Sequence, residues 1–500
     1  MLLSLRFMKL RLLLAFLFLS FNTLRAQNYV FDYNSRCHAA YQQYLSLNLE
    51  AGNALIRQEI MSNPYNLMAT YLADYDDWLM LLMNGDNRDY EQRAGHFDER
   101  LNLLSKGDEN SPWFRVCKAG IYFHWALVHI RFGENLKAAT TFRRSFLLLK
   151  ENNKRFPDFP QNKIFLGLEE AVVGTIPENY QWLASIFGMK GSVKKGVALL
   201  NSFINNSDNN TPLRNEAIIY NCYLRFYLMS QQEEVWRFVN SSQFPVQNNL
   251  FHSFIRANFA LNYRKSDAAL QVLKNAQSID DYKNFPIMDY EMGTALLHKL
   301  DANSVVYFNK FLSSYKGKFF VKDAHQKLAY AYYVQQNYPK ANYHREQALK
   351  EGSRTTDADK QAYRFAENNV YPSVPILQAR LLSDGGYYKP ALQKLQNVDI
   401  KSLNITDKLE CYFRLGRIHD ELNNDTKAVE YYKTTINLGR NRKEHFAARS
   451  ALQMGMMYER LGKITEAVKC YTDCLSMKEH DFQSNIDQQA KAGVNRLTQK

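Results

Sequence analysis

The sequence has few of the features that build β-sheets or disulfide-rich folds. No stretch shows sustained period-two alternation between hairpin turns, so we expect no sheet. The cysteines lack the dense spacing of a disulfide scaffold. The hydrophobic content of 46% is too high for a disordered chain. We therefore expect a helical protein whose cysteines pack in its core: Cys37, Cys117, Cys222, Cys411, Cys470 and Cys474.

Signatures of catalysis and metal binding are also missing. The chain contains no H-E-x-x-H, no G-x-x-x-x-G-K-[ST] and no G-x-S-x-G, the motifs that bind zinc, hold phosphates or present a nucleophile. His96 and Glu99 have the spacing of one half of a di-iron site, but the sequence has no second copy. Asp74, Asp76 and Asp77 lack the pattern of a calcium loop and are predicted to form an exposed helix face. We predict no enzymatic activity, no cofactor and no metal.

The chain is basic, with a formal net charge of +13, but its charges are mixed. Lysine and arginine are interspersed with aspartate and glutamate along nearly every predicted helix, whereas a nucleic-acid-binding protein gathers its basic residues on one face. We therefore expect a solvated helical surface and no nucleic-acid partner. The densest basic cluster is Arg440, Arg442 and Lys443. It lies in a predicted loop and leaves contact with an anionic surface open.

The N-terminus resembles a secretory signal peptide. Basic residues precede an apolar stretch from Leu12 to Phe21, and Ala26 offers a small residue for cleavage. The apolar stretch is about half the roughly 20 residues that a membrane-spanning helix needs. No cysteine follows it closely enough for a bacterial lipoprotein anchor. We predict an exported mature chain that begins near Gln27, has no transmembrane segment, and is periplasmic, envelope-associated or secreted.

A helical-hairpin pattern recurs through the second half of the chain, most clearly in two copies. In each copy a set of packing residues on one helix is followed by a small, an aromatic and a small residue on the next. Recurrence at a fixed spacing indicates a repeat protein. The two sets align without a gap: Tyr412, Leu415, Gly416, His419, Ala428, Tyr432 and Thr435, then Ala451, Met454, Gly455, Tyr458, Ala467, Tyr471 and Cys474.

This pattern resembles the tetratricopeptide repeat (TPR), in which two antiparallel helices approach closely. The resemblance is specific over 323–475, weaker over 215–312 and only suggestive before that. It implies an all-α fold of tandem antiparallel helical hairpins stacked as a solenoid. The last hairpin and the tail are also similar to the ends of secreted TPR proteins from Bacteroidetes-type bacteria, which implies a setting in the cell envelope.

We predict five segments along the chain: a signal peptide at 1–26, an N-terminal helical region with degenerate hairpins at 27–204, a linker at 205–213, the TPR solenoid at 214–478 and a C-terminal capping helix at 479–500. Gly196, in the second segment, would let two helices touch. A polar, turn-rich run forms the third segment, and an extra helix is inserted after Thr356 in the fourth.

Each TPR hairpin consists of a first and a second helix, and the first helices of stacked hairpins line a concave face that recognises partners. The resemblance implies which residues of this chain lie on that face. These positions mix aromatics, arginines and apolar residues, a composition typical of a protein or peptide interface. An ordinary, partly packed helix face would explain the same residues. The candidate groove residues are Tyr330, Tyr333, Phe413, Arg417, Asp420, Arg449, Met456, Glu459 and Arg460.

Two functions remain open from the sequence. The favoured one is a non-catalytic, exported TPR scaffold that binds a protein or peptide partner in the cell envelope through its concave groove. The alternative is a glycan- or nutrient-binding protein in which a TPR-like helical body carries an aromatic sugar platform. That second class usually has a lipid-anchoring cysteine and long inserted loops, and this chain lacks both.

Overall fold

The structure is a computed structural model that describes residues 28–175 and 191–498. The described residues are mainly α-helical, and their only β structure is a single bridge between Val30 and Asn66. None of the described helices combines the length and the apolar character needed to cross a bilayer. All six cysteines are buried and free of disulfides, so the prediction that they pack in the core is confirmed. The predicted signal peptide lies outside the described residues, and so does Pro177, where the sequence predicts the start of a further helix.

The chain divides into two compact units, Met1–Val235 and Trp236–Lys500. The polar run 205–213 lies inside the first unit, between two of its helices. The described helices of this unit are α1 (Ser35–Tyr44), α2 (Leu49–Ser62), α3 (Leu67–Leu72), α4 (Asp74–Asn84), α5 (Asn87–Leu104), α6 (Pro112–Arg131), α7 (Asn135–Arg155), α8 (Asn162–Gly174), α9 (Val193–Asn205) and α10 (Arg214–Leu228), and α11 (Gln232–Val239) spans the division.

Two helices of the first unit are in backbone contact. A Cβ atom on Gly196 of α9 would stand 2.2 Å from the carbonyl oxygen of Gly167 on α8. A Cβ on Gly167 would in turn stand 2.8 Å from the carbonyl oxygen of Gly196. The prediction that Gly196 lets two helices touch is confirmed, and α8 is the partner helix.

The second unit is a series of consecutive helical hairpins, so the prediction of tandem antiparallel hairpins is confirmed. Successive helices pair from α12 to α17 and again from α19 to α24, and the C-terminal helix packs on the last hairpin. The helices are α12 (Leu250–Asn262), α13 (Ser266–Ala276), α14 (Ile287–His298), α15 (Ser304–Ser314), α16 (Val321–Val334), α17 (Tyr338–Lys350), α18 (Asp357–Asn368), α19 (Val374–Asp384), α20 (Tyr388–Gln396), α21 (Ile405–Glu421), α22 (Asp425–Gly439), α23 (Phe446–Arg460), α24 (Ile464–Ser476) and α25 (Gln483–Thr498).

The two clear repeat copies pack in the same way. In each, a fully buried tyrosine on the second helix lies over a glycine on the first: Tyr432 over Gly416, and Tyr471 over Gly455. The nearest ring atom is 2.7 Å from the place where a Cβ would stand on either glycine. Any larger residue would collide with the ring, so the glycine sets how closely the two helices of a hairpin approach.

The helix predicted as an insertion after Thr356 is present as α18. The Thr356 hydroxyl caps it by accepting a hydrogen bond from the amide of Asp359 at 3.0 Å. α18 lies against α16 and α17, and the following helix, α19, packs against α14 and α16. Phe365 of α18 and Arg380 of α19 both contact Tyr330 of α16. Part of the first-helix face of α16 is therefore covered by helices of the same chain.

Turns that are far apart in sequence also meet in this unit. The amide of Ser266, after the α12–α13 turn, donates to the carbonyl oxygen of Gly385, after α19, at 3.3 Å. Gly386 has φ +88° and passes so close to this turn that a Cβ would stand 2.1 Å from the carbonyl oxygen of Arg264. Only glycine suits both the left-handed conformation and the close approach.

Candidate functional site

The candidate groove residues lie on three first helices. Tyr330 and Tyr333 are on α16, and the other seven are on α21 and α23, which pack against each other. Tyr330 is only 8% exposed. Its ring meets Phe365 edge-on with centroids 4.9 Å apart, and its hydroxyl accepts a hydrogen bond from Arg380 at 3.3 Å. Tyr333 is partly buried and stacks on Tyr371 with centroids 4.2 Å apart. These tyrosines therefore contact the inserted helix and its neighbours.

Two candidates on α21 are buried as well. Phe413 is 6% exposed and packs against Phe446 of α23, with ring centroids 5.7 Å apart. Asp420 is 3% exposed and accepts hydrogen bonds from Arg460 at 2.8 Å and from the Tyr432 hydroxyl at 3.1 Å. Both side chains hold the last two repeats together.

Most of the remaining charged candidates are also paired within the chain. Arg417 of α21 donates to Glu421 at 2.9 Å and to the side-chain oxygen of Gln453 on α23. Glu459 accepts from Arg496 of the C-terminal helix at 2.7 Å. Of the five charged candidates, four thus have a partner in the structure.

Arg449 is the exception. Its side chain is partly buried, and its guanidinium makes no hydrogen bond or ion pair with any residue that the structure describes. Burial, and then the positive charges of Arg417 and Arg264, lower the pKa of Arg449 to about 10. Met456, two turns later on the same helix, is also partly buried. These two residues keep side-chain surface available on α23.

A pair of buried histidines joins α16 to α17. The Nδ1 atoms of His325 and His344 lie 3.1 Å apart, and Nε2 of His325 lies 3.2 Å from the Glu351 carboxylate. Two neutral rings satisfy this geometry when His344 donates its Nδ1–H to His325 and His325 donates its Nε2–H to Glu351. Burial lowers the pKa of both histidines, that of His344 to about 4. The pair is therefore neutral at physiological pH.

We expect this pair to make the protein acid-sensitive. An unfolded histidine protonates near pH 6.5, whereas folded His344 stays neutral down to about 4. Because the unfolded state takes up the proton first, about 3 kcal/mol of stability is present above the unfolded pKa and is lost as the pH falls to the folded pKa. Urea denaturation over this pH range measures the loss. His344→Gln should flatten the pH dependence; the same slope in the variant would contradict the assignment.

The first unit contains a different buried polar cluster. The carboxylate of Asp74 accepts hydrogen bonds from Trp125 Nε1 at 2.9 Å and from His124 Nδ1 at 2.8 Å. Nε2 of His124 lies 3.2 Å from the carboxylate of Glu216. Burial alone would lower the pKa of His124, but its bonds to the two carboxylates outweigh burial and raise the pKa to about 9. His124 is therefore charged at neutral pH and compensates two buried acids.

The prediction that Asp74, Asp76 and Asp77 form an exposed face is wrong. Asp74 and Asp77 are buried, and Asp77 is paired with Arg93 and Arg100 of α5. The sequence signal for this was the spacing of the two arginines, which places them on one face of the helix that follows the acids. Within 28–175 and 191–498, no group of three histidine, cysteine, aspartate or glutamate side chains is arranged to hold a metal ion.

Comparison with known proteins identifies the repeats. A family model described as the tetratricopeptide repeat matches residues 409–438 and 448–481, the hairpins α21–α22 and α23–α24. No curated protein matches the chain in sequence.

Solved structures that match the chain share little sequence with it. The human IFIT1 dimer with PPP-AAAA has 14% identity and a TM-score of 0.36, over 83% of this chain and 97% of that one. Yeast Tom70 has 11% identity and a TM-score of 0.29, over 93% and 97%. The APC/C hetero-tetramer Cut9–Hcn1 has 13% identity and a TM-score of 0.28, over 93% and 89%. Similarities this low transfer no ligand or partner. The resemblance seen in the sequence is confirmed by the family match: the chain contains tetratricopeptide repeats, at 409–438 and 448–481.

Proposed function

We propose that this protein is an exported, non-catalytic scaffold that binds a protein or peptide partner in the cell envelope through the first-helix face of its C-terminal repeats. The observation that carries the proposal is the pair of matched repeats, whose first helices α21 and α23 lie side by side. Stacked hairpins of this kind create an extended face suited to recognition. Export is inferred from the signal-peptide-like segment 1–26.

The face available for a partner is narrower than the groove inferred from the sequence. Tyr330, Phe413 and Asp420 are engaged in internal contacts, so we assign none of them to the partner. Met456 and Arg460 lie four residues apart on one face of α23, and the Arg460 side chain is 52% exposed. A flexible thioether beside a half-exposed arginine side chain suits an apolar contact with a charged rim. This pair, the α23 patch, is the proposed contact.

Burial of the two histidine clusters supports a non-catalytic role. His124 is fully buried and His325 is 4% exposed, so a substrate has no access to either ring. Their hydrogen bonds are completed by neighbouring side chains of the same chain. Such closed polar clusters stabilise a fold rather than catalyse a reaction.

A crosslinked pull-down from envelope extracts tests the proposal. We expect Met456→Ser with Arg460→Gln to reduce capture of a partner by at least about tenfold, the loss typical of hot-spot residues. The matched control is Ile464→Ser with Lys469→Gln. It removes one apolar and one basic side chain from exposed positions of α24, and it should capture the partner as the unaltered protein does. Quantitative mass spectrometry measures the ratio.

Unchanged melting temperatures must accompany these results, because Arg460 also bonds to Asp420. A partner that is retained by the α23 double variant, or lost equally from both variants, contradicts the α23 patch. Recovery of the protein from the cytosol with residues 1–26 still attached contradicts export.

A further inference from the structure

Five arginines gather in the second unit where α19, α21 and α23 meet the α12–α13 turn. They belong to four different elements. Shared carboxylates link four of them in two pairs. Burial, and then the positive charges of Arg417, Arg264 and Arg414, lower the pKa of the fifth, Arg449. We call them the arginine cluster: Arg264, Arg380, Arg414, Arg417 and Arg449.

Two members of the cluster share one buried carboxylate. Glu410 of α21 accepts a hydrogen bond from Arg380 Nε at 2.6 Å and from Arg414 Nε at 3.3 Å. Burial would raise the pKa of Glu410, but the two guanidinium groups outweigh it and hold the pKa below its usual value. Arg414 also reaches Asp384 at the end of α19, at 3.2 Å. The charges of these two arginines are thus balanced by two acids.

Two further members share a second carboxylate. Glu421 accepts from Arg264 at 2.5 Å and from Arg417 at 2.9 Å, both on the same oxygen atom. Arg417 satisfies another donor through the side-chain oxygen of Gln453. One negative charge therefore serves two guanidinium groups here, which leaves this side of the cluster positive.

Arg449 is paired with no carboxylate within the described part of the chain. It lies one turn before Gln453 on α23, so it faces the same side as the residue that Arg417 reaches. Its side chain is partly withdrawn from water, next to the positive charges of Arg417 and Arg264. A partly buried cation beside like charges is costly unless an anion compensates it.

We propose that Arg449, together with Arg417 and Arg264, binds a compact oxyanion: a carboxylate or a phosphate group. A guanidinium presents two parallel N–H donors that match two oxygen atoms of either group. The oxyanion supplies the negative charge that the cluster lacks, on the side where Glu421 is shared between two arginines. The site adjoins the α23 patch, because Gln453 contacts Met456, but it does not depend on a protein partner, because a free anion completes it.

The full chain should be titrated with sodium phosphate and, separately, with sodium acetate, at constant ionic strength kept with chloride. Calorimetry and thermal melting measure binding and the rise in melting temperature that a bound anion causes. We expect Arg449→Gln to weaken binding of the active probe by at least about tenfold, the value of a charge-assisted hydrogen bond. Arg57→Gln is the control, since that exposed arginine is paired with Glu50 on α2. It should bind as the unaltered protein does.

The melting temperature without added oxyanion gives a second readout. Removal of an uncompensated cation should leave the melting temperature of Arg449→Gln unchanged or raise it. A response to phosphate alone assigns a phosphate group, and a response to acetate assigns a carboxylate. No response to either probe, the same response in Arg449→Gln, or a lower melting temperature of that variant in chloride would each overturn the proposal.

Discussion

Replacement of His124 by methionine should lower the free energy of unfolding by about 3–5 kcal/mol at neutral pH, the usual cost of removing one partner from a buried ion pair. The charged imidazole lies between the carboxylates of Asp74 and Glu216, at 2.8 and 3.2 Å. Methionine has a similar volume and can keep the contact with Trp78, whose ring stacks on His124. The loss therefore reports two buried acids that lose the charged ring rather than a cavity; Asp74 keeps only a longer ion pair, with Arg100 at 3.4 Å. Denaturant titration measures it.

His96→Gln is the matched control for this substitution. His96 also lies beside a carboxylate, 2.9 Å from Asp77, but its side chain is 44% exposed, so the change should cost less than about 1 kcal/mol. If the two substitutions cost the same, burial does not strengthen the His124 pairs. Adding Asp74→Asn and Glu216→Gln to His124→Met should recover part of the loss, because the two buried acids that lost the charged ring are then neutral amides.

The effect of His124 should also depend on pH. The folded pKa of about 9 lies above the unfolded value near 6.5. The stability that the charged ring contributes is therefore fully present below about 6.5 and is lost as the pH rises through the folded pKa. The difference between the unaltered protein and His124→Met should shrink over this range. A constant difference would show that the charge of His124 contributes nothing.

Gly196→Ala should also destabilise the first unit strongly, by about 3 kcal/mol, at the upper end of the cost of overpacking. The added Cβ would stand 2.2 Å from the carbonyl oxygen of Gly167 and 2.8 Å from the amide nitrogen of Ala171. Both are backbone atoms, so relief requires α8 and α9 to separate. Helix propensity by itself favours alanine over glycine by roughly 1 kcal/mol. The expected change in the free energy of unfolding is therefore opposite in sign to the change that propensity predicts.

Gly95→Ala provides the comparison within the same unit. Gly95 lies in the middle of α5, and the nearest atom to an added Cβ is a carboxylate oxygen of Glu99 at 4.0 Å. With space available, alanine should raise the melting temperature and stabilise the unit by about 0.5–1 kcal/mol. Changes of the same sign in both variants would contradict the backbone contact between α8 and α9.

The hairpins were predictable because their signals are local. The glycine and tyrosine positions of each repeat, such as Gly416 and Tyr432, lie at a fixed spacing. The two helices of a hairpin follow each other directly in the chain, so the residues that pack between them are close in sequence. The inserted helix α18 was predictable for the same reason, since Thr356 caps it within the first turn.

The candidate site was less predictable because it depends on contacts between distant segments. The family pattern places Tyr330 on an open concave face, but α18 and α19 cover it through Phe365 and Arg380. Asp74 lies in a helix with neighbouring acids and resembles a surface residue. It is nevertheless buried, and His124 of another helix bonds both to Asp74 and to Glu216, which lies far along the chain. Neither contact leaves a periodic trace in the sequence.

The sequence by itself determined the all-α class, the order of the hairpins and the two clear repeats, because helix periodicity and small residues under aromatic rings act over short distances along the chain. The tertiary structure alone decided which polar residues are buried, which charges are paired and that Arg449 has no acidic partner among the described residues. Burial and charge pairing depend on how helices pack across long stretches of chain, and side chains that look alike in sequence then have different surroundings.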